Sequence, residues 1–249
     1  MKAGLYLVGT PIGNLEDMSA RGLQTLREAD VILAEDTRHT RILLDRYRIR
    51  GDLVSCHQFN EAARCQRVVD RALAGGAVAL VTNAGMPGVS DPGARVVRAC
   101  RAAGVPVTAI PGPSSVTTAL ALSGYVTGGF LCEGFLPRRS GARRKRIEAL
   151  SGEPLPVVIL ESPYRCLALL AELNAVMPER DLFLGRELTK LHEECLSGTV
   201  GELFRLLSGR HGRAGAPALR GELVLVLGPA AGRPHSLTVE GPVASETVS

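Results

Sequence analysis

The sequence predicts an α/β fold made of two α/β domains with mixed, mostly parallel sheets. Short apolar runs rich in Val, Leu and Ile alternate with amphipathic stretches along the chain. This alternation is typical of parallel strands joined by right-handed helical crossovers. The turn-forming segment PGPSS at 111–115 interrupts the pattern. We therefore predict domains at 1–112 and 113–229.

The first domain contains five apolar runs that we expect to be buried strands. They lie at 4–9, 31–35, 53–56, 77–82 and 106–110. The stretches between them have charged residues on one helical face and apolar residues on the other, which predicts amphipathic helices. These helices are expected at 19–28, 37–46, 60–74 and 93–103.

The second domain continues the alternation with longer apolar runs. Strands are predicted at 130–137, 157–162, 182–188, 193–200 and 221–228, and helices near 142–150, 163–176 and 200–207. The composition of 209–219 predicts a flexible loop. The composition of 230–249 predicts a disordered tail.

Composition excludes several classes of protein. The chain has 249 residues, of which 45% are hydrophobic and 22% charged, an ordinary balance for a globular protein. No apolar run approaches the roughly 20 residues needed to cross a bilayer, and the N-terminus lacks the features of a signal peptide. We therefore expect a cytoplasmic protein that does not bind a membrane. The six cysteines form no CxxC pair, which predicts reduced, mostly buried thiols and no structural metal.

The densest charge in the sequence predicts a contact with nucleic-acid phosphates. The net charge is only +4, but six cations fall within nine positions and no acid follows before Glu148. A solvated helix face is the alternative interpretation, although unpaired repulsion of this kind would then lower stability. The cations are Arg138, Arg139, Arg143, Arg144, Lys145 and Arg146.

Three loops rich in Gly and Pro follow predicted strands, at 9–13, 82–93 and 111–115. Such loops at the carboxyl ends of strands are where open α/β sheets bind ligands. Tight strand-to-helix turns are the alternative, with Asp91 as a helix N-cap before Pro92. The first loop matches neither the GxGxxG nor the P-loop pattern, which disfavours a dinucleotide or P-loop nucleotide site.

Polar residues cluster at two further corners. AEDTRHT at 34–40 places acids and an arginine where a strand meets a helix, and either Asp36 or Thr37 could simply cap that helix. RELTK at 186–190 contains one of only three lysines, and a desolvated lysine can lose its proton. The alternative is that these side chains position a substrate or handle a proton.

Taken together and in this order, these segments resemble the tetrapyrrole methylase family of S-adenosylmethionine-dependent methyltransferases, over roughly residues 4–228. The first loop reads GTPIGN, where small-molecule precorrin methylases typically carry GxGPGDP. With EDTRHT, RELTK and GFLPRR, it resembles the RNA-modifying branch. The chain departs from the family pattern at Asn83, where Asp is usual, and at Met86, where Thr is frequent. The markers are LYLVGTPIGNLEDM, AEDTRHT, NAGMPGVSDPG, IPGPSS, EGFLPRR, RELTK and GELVLVL.

The resemblance implies an enzyme that methylates the ribose 2′-hydroxyl of a cytidine in 16S ribosomal RNA, within the 30S subunit. It implies a homodimer that uses S-adenosylmethionine without a metal, with the cofactor in a cleft between the two domains. The implied cofactor residues are Thr10, Pro11, Ala84, Gly85, Met86, Pro87, Ser90, Asp91, Ser114, Ser115, Glu161, Ser162 and Leu188.

For the acceptor proton, our hypotheses are Glu35, Asp36 and Lys190, with Arg38 binding a phosphate or orienting a carboxylate. Two other functions stay open: a methylase of a tetrapyrrole or another small molecule, and a non-catalytic sensor of S-adenosylmethionine, which Asn83 would fit. The low aromatic content of 4%, without tryptophan, predicts recognition of phosphate and shape rather than base stacking.

Overall fold

The chain divides into two compact units, Met1–Ser114 and Ser115–Ser249, so the division falls within PGPSS. We analysed a computed structural model, which describes residues 1–89, 91–125, 128–211, 220–230 and 238–240. Each unit combines a β-sheet with helices, which confirms the predicted α/β class.

The first unit contains a five-stranded sheet in the order β3-β2-β4-β1-β5, and all neighbouring strands are parallel. Each strand lies within the apolar run that predicted it. The central strand β4 is buried at every position, as expected for a parallel strand covered on both faces. The strands are β1 (Gly4–Val8), β2 (Val31–Ala34), β3 (Leu53–Ser55), β4 (Ala77–Val81) and β5 (Val107–Ile110).

Helices cover both faces of this sheet. Leu26 of the first helix and Leu44 of the second pack with Val8 on one face. Val68 of the third helix and Val96 of the fourth pack on the other. The helices match the predicted amphipathic stretches: α1 (Ala20–Glu28), α2 (Thr37–Arg46), α3 (Glu61–Leu73) and α4 (Ala94–Ala102).

This connectivity creates a topological switch point between β1 and β4. The two strands are neighbours, yet the helices that follow them, α1 and α4, leave toward opposite faces of the sheet. The direction of the connections therefore reverses at this position in the sheet. Open α/β sheets bind ligands at such a topological switch point.

The second unit contains a six-stranded sheet in the order β11-β9-β8-β10-β7-β6. Of its pairings, β6 with β7 is parallel and the other four are antiparallel. The segment 187–193 joining β8 to β9 is too short for a parallel crossover, so that pair is a hairpin. The strands are β6 (Leu131–Phe135), β7 (Val157–Glu161), β8 (Asp181–Arg186), β9 (Glu194–Thr199), β10 (Leu223–Leu227) and β11 (Thr238–Glu240).

Three helices of this unit share one hydrophobic core with the sheet, through residues such as Ile147, Leu170 and Leu207. The helix that begins at Ser115 instead packs against β8 and β10. The helices are α5 (Ser115–Ser123), α6 (Ser140–Leu150), α7 (Pro163–Val176) and α8 (Val200–His211). In the described ranges, no helix is long and apolar enough to cross a membrane.

Two predictions for the C-terminal region need correction. Helix α8 continues to His211, so the first part of the loop predicted at 209–219 is helical, and 212–219 lies outside the described residues. The tail predicted to be disordered contributes β11, which pairs with β9. Local composition missed this strand because its partner lies about 40 positions earlier. Residues 231–237 and 241–249 are outside the described part of the chain.

Most of the cysteines are buried, as predicted. All six thiols are free, and Cys56, Cys100, Cys166 and Cys195 are buried. Burial raises the pKa of the Cys56 thiol to about 11, with a smaller contribution from the charge of Glu61. A thiol of this kind stays protonated and behaves as a small apolar side chain.

The start of α4 is capped by a carboxylate from α3. Glu61 is 6% exposed, and its Oε1 accepts hydrogen bonds from the backbone N–H groups of Gly93 (3.0 Å), Arg95 (2.8 Å) and Val96 (3.3 Å). The alternative interpretation, in which Asp91 caps this helix, is therefore wrong. Gly93 occupies the N-cap position with φ 134°, which separates Asp91 from the first turn.

We expect Glu61→Gln to destabilise the protein by about 2 kcal/mol, because a buried charge-assisted bond to three N–H groups loses its charge. The measurement is urea unfolding at pH 7. Asp70→Asn is the matched control, since this carboxylate lies exposed on the same helix and accepts a hydrogen bond from Gln66. Equal effects of the two substitutions would contradict the capping role.

Candidate functional site

The loops that follow β1 and β4 are held together at the switch point. Thr10 and Gly85 exchange two backbone hydrogen bonds, of 2.9 and 3.0 Å. The Thr10 hydroxyl, itself buried, donates to the carbonyl of Thr82 at 3.0 Å. The hydroxyl is therefore hydrogen-bonded within the protein, and the surface that a ligand would contact here is already formed.

The loop that follows β5 also reaches this edge. A Cβ on Gly9 would lie 2.7 Å from the Gly112 Cα and 2.7 Å from the Met86 sulfur. A Cβ on Gly112 would lie 2.8 Å from the Gly9 backbone. Side chains cannot be accommodated at either position, so glycine is required for this close approach. The structure therefore brings the three predicted Gly- and Pro-rich loops to one edge of the first sheet.

Unsatisfied acceptors and carboxylates lie along the same edge. Glu35, at the end of β2, accepts a hydrogen bond from the Asn83 N–H at 3.3 Å. In the described part of the chain, the Asn83 Oδ1 and His57 Nδ1 atoms are buried without a hydrogen-bond partner. Buried polar atoms of this kind are normally paired, so these two are available to a ligand or water.

Asp91 is a carboxyl group at this edge whose proton affinity is raised. Its side chain lies in the loop between β4 and α4 and is half-buried. Burial, and to a lesser extent the negative charge of Glu35, raise the pKa of Asp91 to about 6. The carboxylate is therefore a stronger base than an ordinary aspartate while remaining mostly ionised above neutral pH.

Asp36 acts as the N-cap of α2, one of its two predicted roles. Its Oδ1 accepts from the Arg38 N–H at 2.9 Å, and the Arg38 guanidinium makes two further bonds to the carboxylate, of 3.2 and 2.8 Å. The Arg38 guanidinium holds the pKa of Asp36 well below its usual range. This pairing argues against Asp36 as the proton acceptor, because such a carboxylate is a weak base.

Lys190 is held as a cation. Its Nζ donates to Glu187 at 2.9 Å and to Glu222 at 3.3 Å. Partial burial opposes the charge, but the two carboxylates outweigh it, so the pKa of Lys190 is raised. The prediction of a neutral lysine base is therefore not supported by these contacts.

The other implied cofactor residues are distributed over both units. In the first, Pro11 and Pro87 are buried beside half-buried Ala84 and Met86. Ser114 ends the first unit and Ser115 begins α5. Ser90 lies outside the described residues.

In the second unit, the carboxyl group of Glu161 is buried at the end of β7. It accepts a bond of 2.7 Å from the Ser162 N–H and lies 3.2 Å from the Arg165 guanidinium. Leu188 is buried and packs on Gly185, where a Cβ would lie 2.9 Å from it. Leu188 is therefore part of the local packing.

The basic segment is partly neutralised inside the second unit, which corrects the prediction that all six cations contact phosphate. Arg143 is 8% exposed and makes two bonds to Glu172, of 2.8 and 2.5 Å. Arg146 binds Glu133 in the same two-pronged way, at 2.8 and 2.6 Å. The local sequence does not reveal these pairs because the two glutamates come from α7 and β6, 29 and 13 positions away.

Four cations of this segment stay on the surface. Arg144 pairs with Glu148 along the exposed side of α6 at 3.0 Å. Arg138, Arg139 and Lys145 are exposed, and within the described ranges their side chains make no hydrogen bond or ion pair. These three are the members of the segment that remain available to an anionic partner.

Comparison with known proteins shows a match to a family model and similarity to solved structures. A family model described as Tetrapyrrole (Corrin/Porphyrin) Methylases matches residues 4–203. Among solved structures, the methyltransferase CobJ superposes with a TM-score of 0.67, covering 96% of this chain and 100% of that one at 19% identity. A uroporphyrin-III C-methyltransferase from Thermus thermophilus, complexed with S-adenosylhomocysteine, gives 0.61 over 91% and 98% at 20% identity. At identities of 19–20%, the likeness to these structures shows a shared fold and no more.

Curated relatives are more similar in sequence. A protein of Thermotoga maritima named ribosomal RNA small subunit methyltransferase I is 46% identical over 198 residues, covering 80% of this chain and 89% of the relative. Proteins of the same name from Neisseria meningitidis serogroup B and Escherichia coli O157:H7 are 44% and 40% identical, covering 93% and 90% of this chain and 78% and 77% of theirs. Because the family model and these relatives each span most of its length, the chain belongs to the tetrapyrrole methylase family.

Proposed function

We propose that this protein is an S-adenosylmethionine-dependent methyltransferase of small-subunit ribosomal RNA, and that it methylates the ribose 2′-hydroxyl of a cytidine in 16S RNA. The observation that carries the proposal is the 40–46% identity, over 80–93% of the chain, to relatives named ribosomal RNA small subunit methyltransferase I. The RNA-type markers GTPIGN, EDTRHT, RELTK and GFLPRR support the finer statement. A homodimer and a reaction without metal remain predictions from the resemblance.

The carboxyl edge of the first sheet fits the chemistry of this cofactor. S-adenosylmethionine, when bound, supplies an electrophilic methyl group on a positively charged sulfur, and it also carries an amino group and two ribose hydroxyls. The orphaned Asn83 Oδ1 can accept a hydrogen bond from such donors, and the carboxylates of Glu35 and Asp91 complement positive charge. Contacts from Ser90, Ser115, Glu161, Ser162 and Leu188 remain predictions.

The residues of this edge can also prepare the acceptor. A displacement at carbon requires the attacking oxygen to be held about 3 Å from the methyl group and in line with the leaving sulfur. A ribose hydroxyl attacks poorly until its proton is drawn away. We propose that the Asp91 carboxylate accepts that proton. Its pKa of about 6 makes it a stronger base than Asp36, and it is still ionised at pH 7.5. Glu35 contributes the negative charge that helps raise it.

The first test incubates the purified protein with methyl-labelled S-adenosylmethionine and 30S subunits from cells lacking the modification. We expect the label on a cytidine ribose after nuclease digestion and mass spectrometry, and none on subunits that already carry the methyl group. Tight cofactor binding without label on 30S subunits or naked 16S RNA would contradict the proposal. A small-molecule methylase or a cofactor sensor would then explain the chain better.

RNA affinity should depend on the three exposed, unpaired cations. The triple variant Arg138→Ala, Arg139→Ala, Lys145→Ala is expected to weaken RNA binding and to lower the slope of log K against log salt by about 2–3, since each lost phosphate contact removes about 0.7–0.9. Cofactor affinity and unfolding free energy should stay near those of the original protein. Filter binding across a salt series provides the measurement.

The matched control is Arg143→Ala, which removes a cation of the same segment. Because Arg143 is buried against Glu172, we expect this variant to lose about 2–4 kcal/mol of stability, with the salt slope unchanged for the protein that remains folded. If the triple variant keeps the original slope, the assignment of these cations to phosphates is wrong.

The pH dependence should reveal Asp91. Below about pH 6 the Asp91 carboxyl group is protonated, so the rate of single-turnover methyl transfer is expected to fall about tenfold per pH unit. The variant Asp91→Asn should lower this rate by about 10²–10⁴ and remove its pH dependence. Asp45→Asn, an exposed carboxylate on α2, is the control. A rate in Asp91→Asn that still titrates near pH 6 would exclude Asp91 as the base.

Stability provides an independent readout of the same group. The folded-state pKa lies above the ordinary value of 3.8, so ionisation of Asp91 destabilises the folded protein at pH values above about 6. Asp91→Asn should therefore be more stable than the original protein by about 1–2 kcal/mol at pH 8, and the difference should shrink toward zero near pH 4.

A further inference from the structure

Two aromatic rings are exposed at one edge of the second unit. Phe135, the last residue of β6, is 61% exposed, and Tyr164, in the first turn of α7, is 84% exposed. The chain has only five Phe, four Tyr and no Trp. Large apolar side chains left in water at a functional edge often mark a binding surface.

A β-bulge turns Phe135 outward. In the pairing of β6 with β7, Cys132 lies opposite Val158 and Gly134 lies opposite Ile159, so Glu133 is an extra residue in β6. Gly134 has φ 69°, a conformation that favours glycine.

The bulge shifts the alternation of side chains by one position. Leu131 and Leu136, five residues apart, both pack on the core of the unit. In a regular strand Phe135 would instead share the face of Leu131. Bulges commonly redirect a side chain beside a functional site, and this one exposes a ring that regular pairing would bury.

The second ring is held at the same edge. Phe135 is in register with Leu160 of the parallel strand β7, and α7 begins directly after that strand. Arg165 donates from Nη2 to the carbonyls of Leu136 (3.0 Å) and Pro137 (3.4 Å). These bonds attach the first turn of α7 to the segment after β6, so both rings lie at the carboxyl ends of the β6–β7 pair.

The charge around the rings is positive. Arg138 and Arg139 follow Phe135 closely in the chain and are exposed, and the part of the chain that the structure describes offers their guanidinium groups no partner. The neighbouring acids are engaged: Glu133 binds Arg146, and Glu172 binds Arg143. Exposed rings beside unpaired arginines match the chemistry of single-stranded nucleic acid, whose bases stack and whose phosphates pair with guanidinium groups.

We propose that this edge binds unpaired nucleotides of the RNA substrate, with Phe135 and Tyr164 stacking on bases and with Arg138 and Arg139 on the flanking phosphates. The proposal rests on the proposed function and adds the substrate class to it: the RNA must present unstacked bases, because a duplex hides their faces. It also reverses the expectation, drawn from the low aromatic content, that stacking has little part in recognition.

The test uses the full chain and two hairpin RNAs of equal length, one with 2-aminopurine unpaired in the loop and one with 2-aminopurine paired in the stem. We expect the original protein to quench the loop fluorescence and to bind the loop probe more tightly. Phe135→Leu and Tyr164→Leu should each weaken binding of the loop probe by about 5- to 150-fold and reduce the quenching, with the stem probe unchanged.

Two further variants serve as controls. Tyr164→Phe keeps a ring and should retain binding. Phe130→Leu removes another exposed ring, 42% exposed, that precedes β6 at its opposite end, and it should have no effect. The proposal would be overturned if Phe135→Leu and Tyr164→Leu weakened the binding of both probes to the same extent, or weakened the binding of neither. A change in oligomeric state with RNA binding intact, seen by sedimentation, would also overturn it and would indicate a protein interface.

The outcome is separable from that of the proposed function, because the binding assay contains no cofactor. A protein that stacks the loop base but transfers no methyl group to 30S subunits would contradict the proposed function alone. Unaltered loop binding and methylation in the double variant Phe135→Leu, Tyr164→Leu would contradict this inference alone.

Discussion

The close packing of three loops at the carboxyl edge of the first sheet is the constraint on which the candidate site depends. Gly9 and Gly112 touch through their backbones, and Thr10 and Gly85 exchange two backbone hydrogen bonds. Because the strands beneath are parallel and buried on both faces, the loops start from fixed positions. The wall of the site is therefore largely formed before any ligand arrives, which lowers the entropy that binding must overcome.

Around this wall, the structure separates charges that stabilise the fold from charges available to a ligand. Glu61 is wholly used to cap α4, and Arg143 is wholly used to bind Glu172. Asp91 and Asn83 are different, since the first is half-buried beside another carboxylate and the second keeps an unpaired oxygen. Half-buried charges and unpaired polar atoms of this kind lower stability, and they concentrate at functional sites.

Each unit offers its own chemistry. The edge of the first contains carboxylates and unsatisfied acceptors, which complement a cationic, hydroxyl-bearing cofactor. The edge of the second contains unpaired arginines and two exposed rings, which complement a polyanion with stackable bases. A methyltransferase acting on RNA needs both chemistries. Because each set of residues belongs to one unit, a single variant can be expected to affect one ligand and not the other.

The sequence by itself determined the α/β class, nearly every strand and helix, and the three loops that follow strands, because periodicity, Gly and Pro act over a few residues. The remaining decisions belong to tertiary structure. Asp91 looks like a helix cap in sequence, but the carboxylate of Glu61, 32 positions before Gly93, caps the helix instead. Arg143 looks free until Glu172, 29 positions away, reaches it. The direction of Phe135 depends on a bulge formed against β7. Contacts between distant residues leave no local pattern, so only the folded chain decides which of its polar and aromatic groups remain available for function.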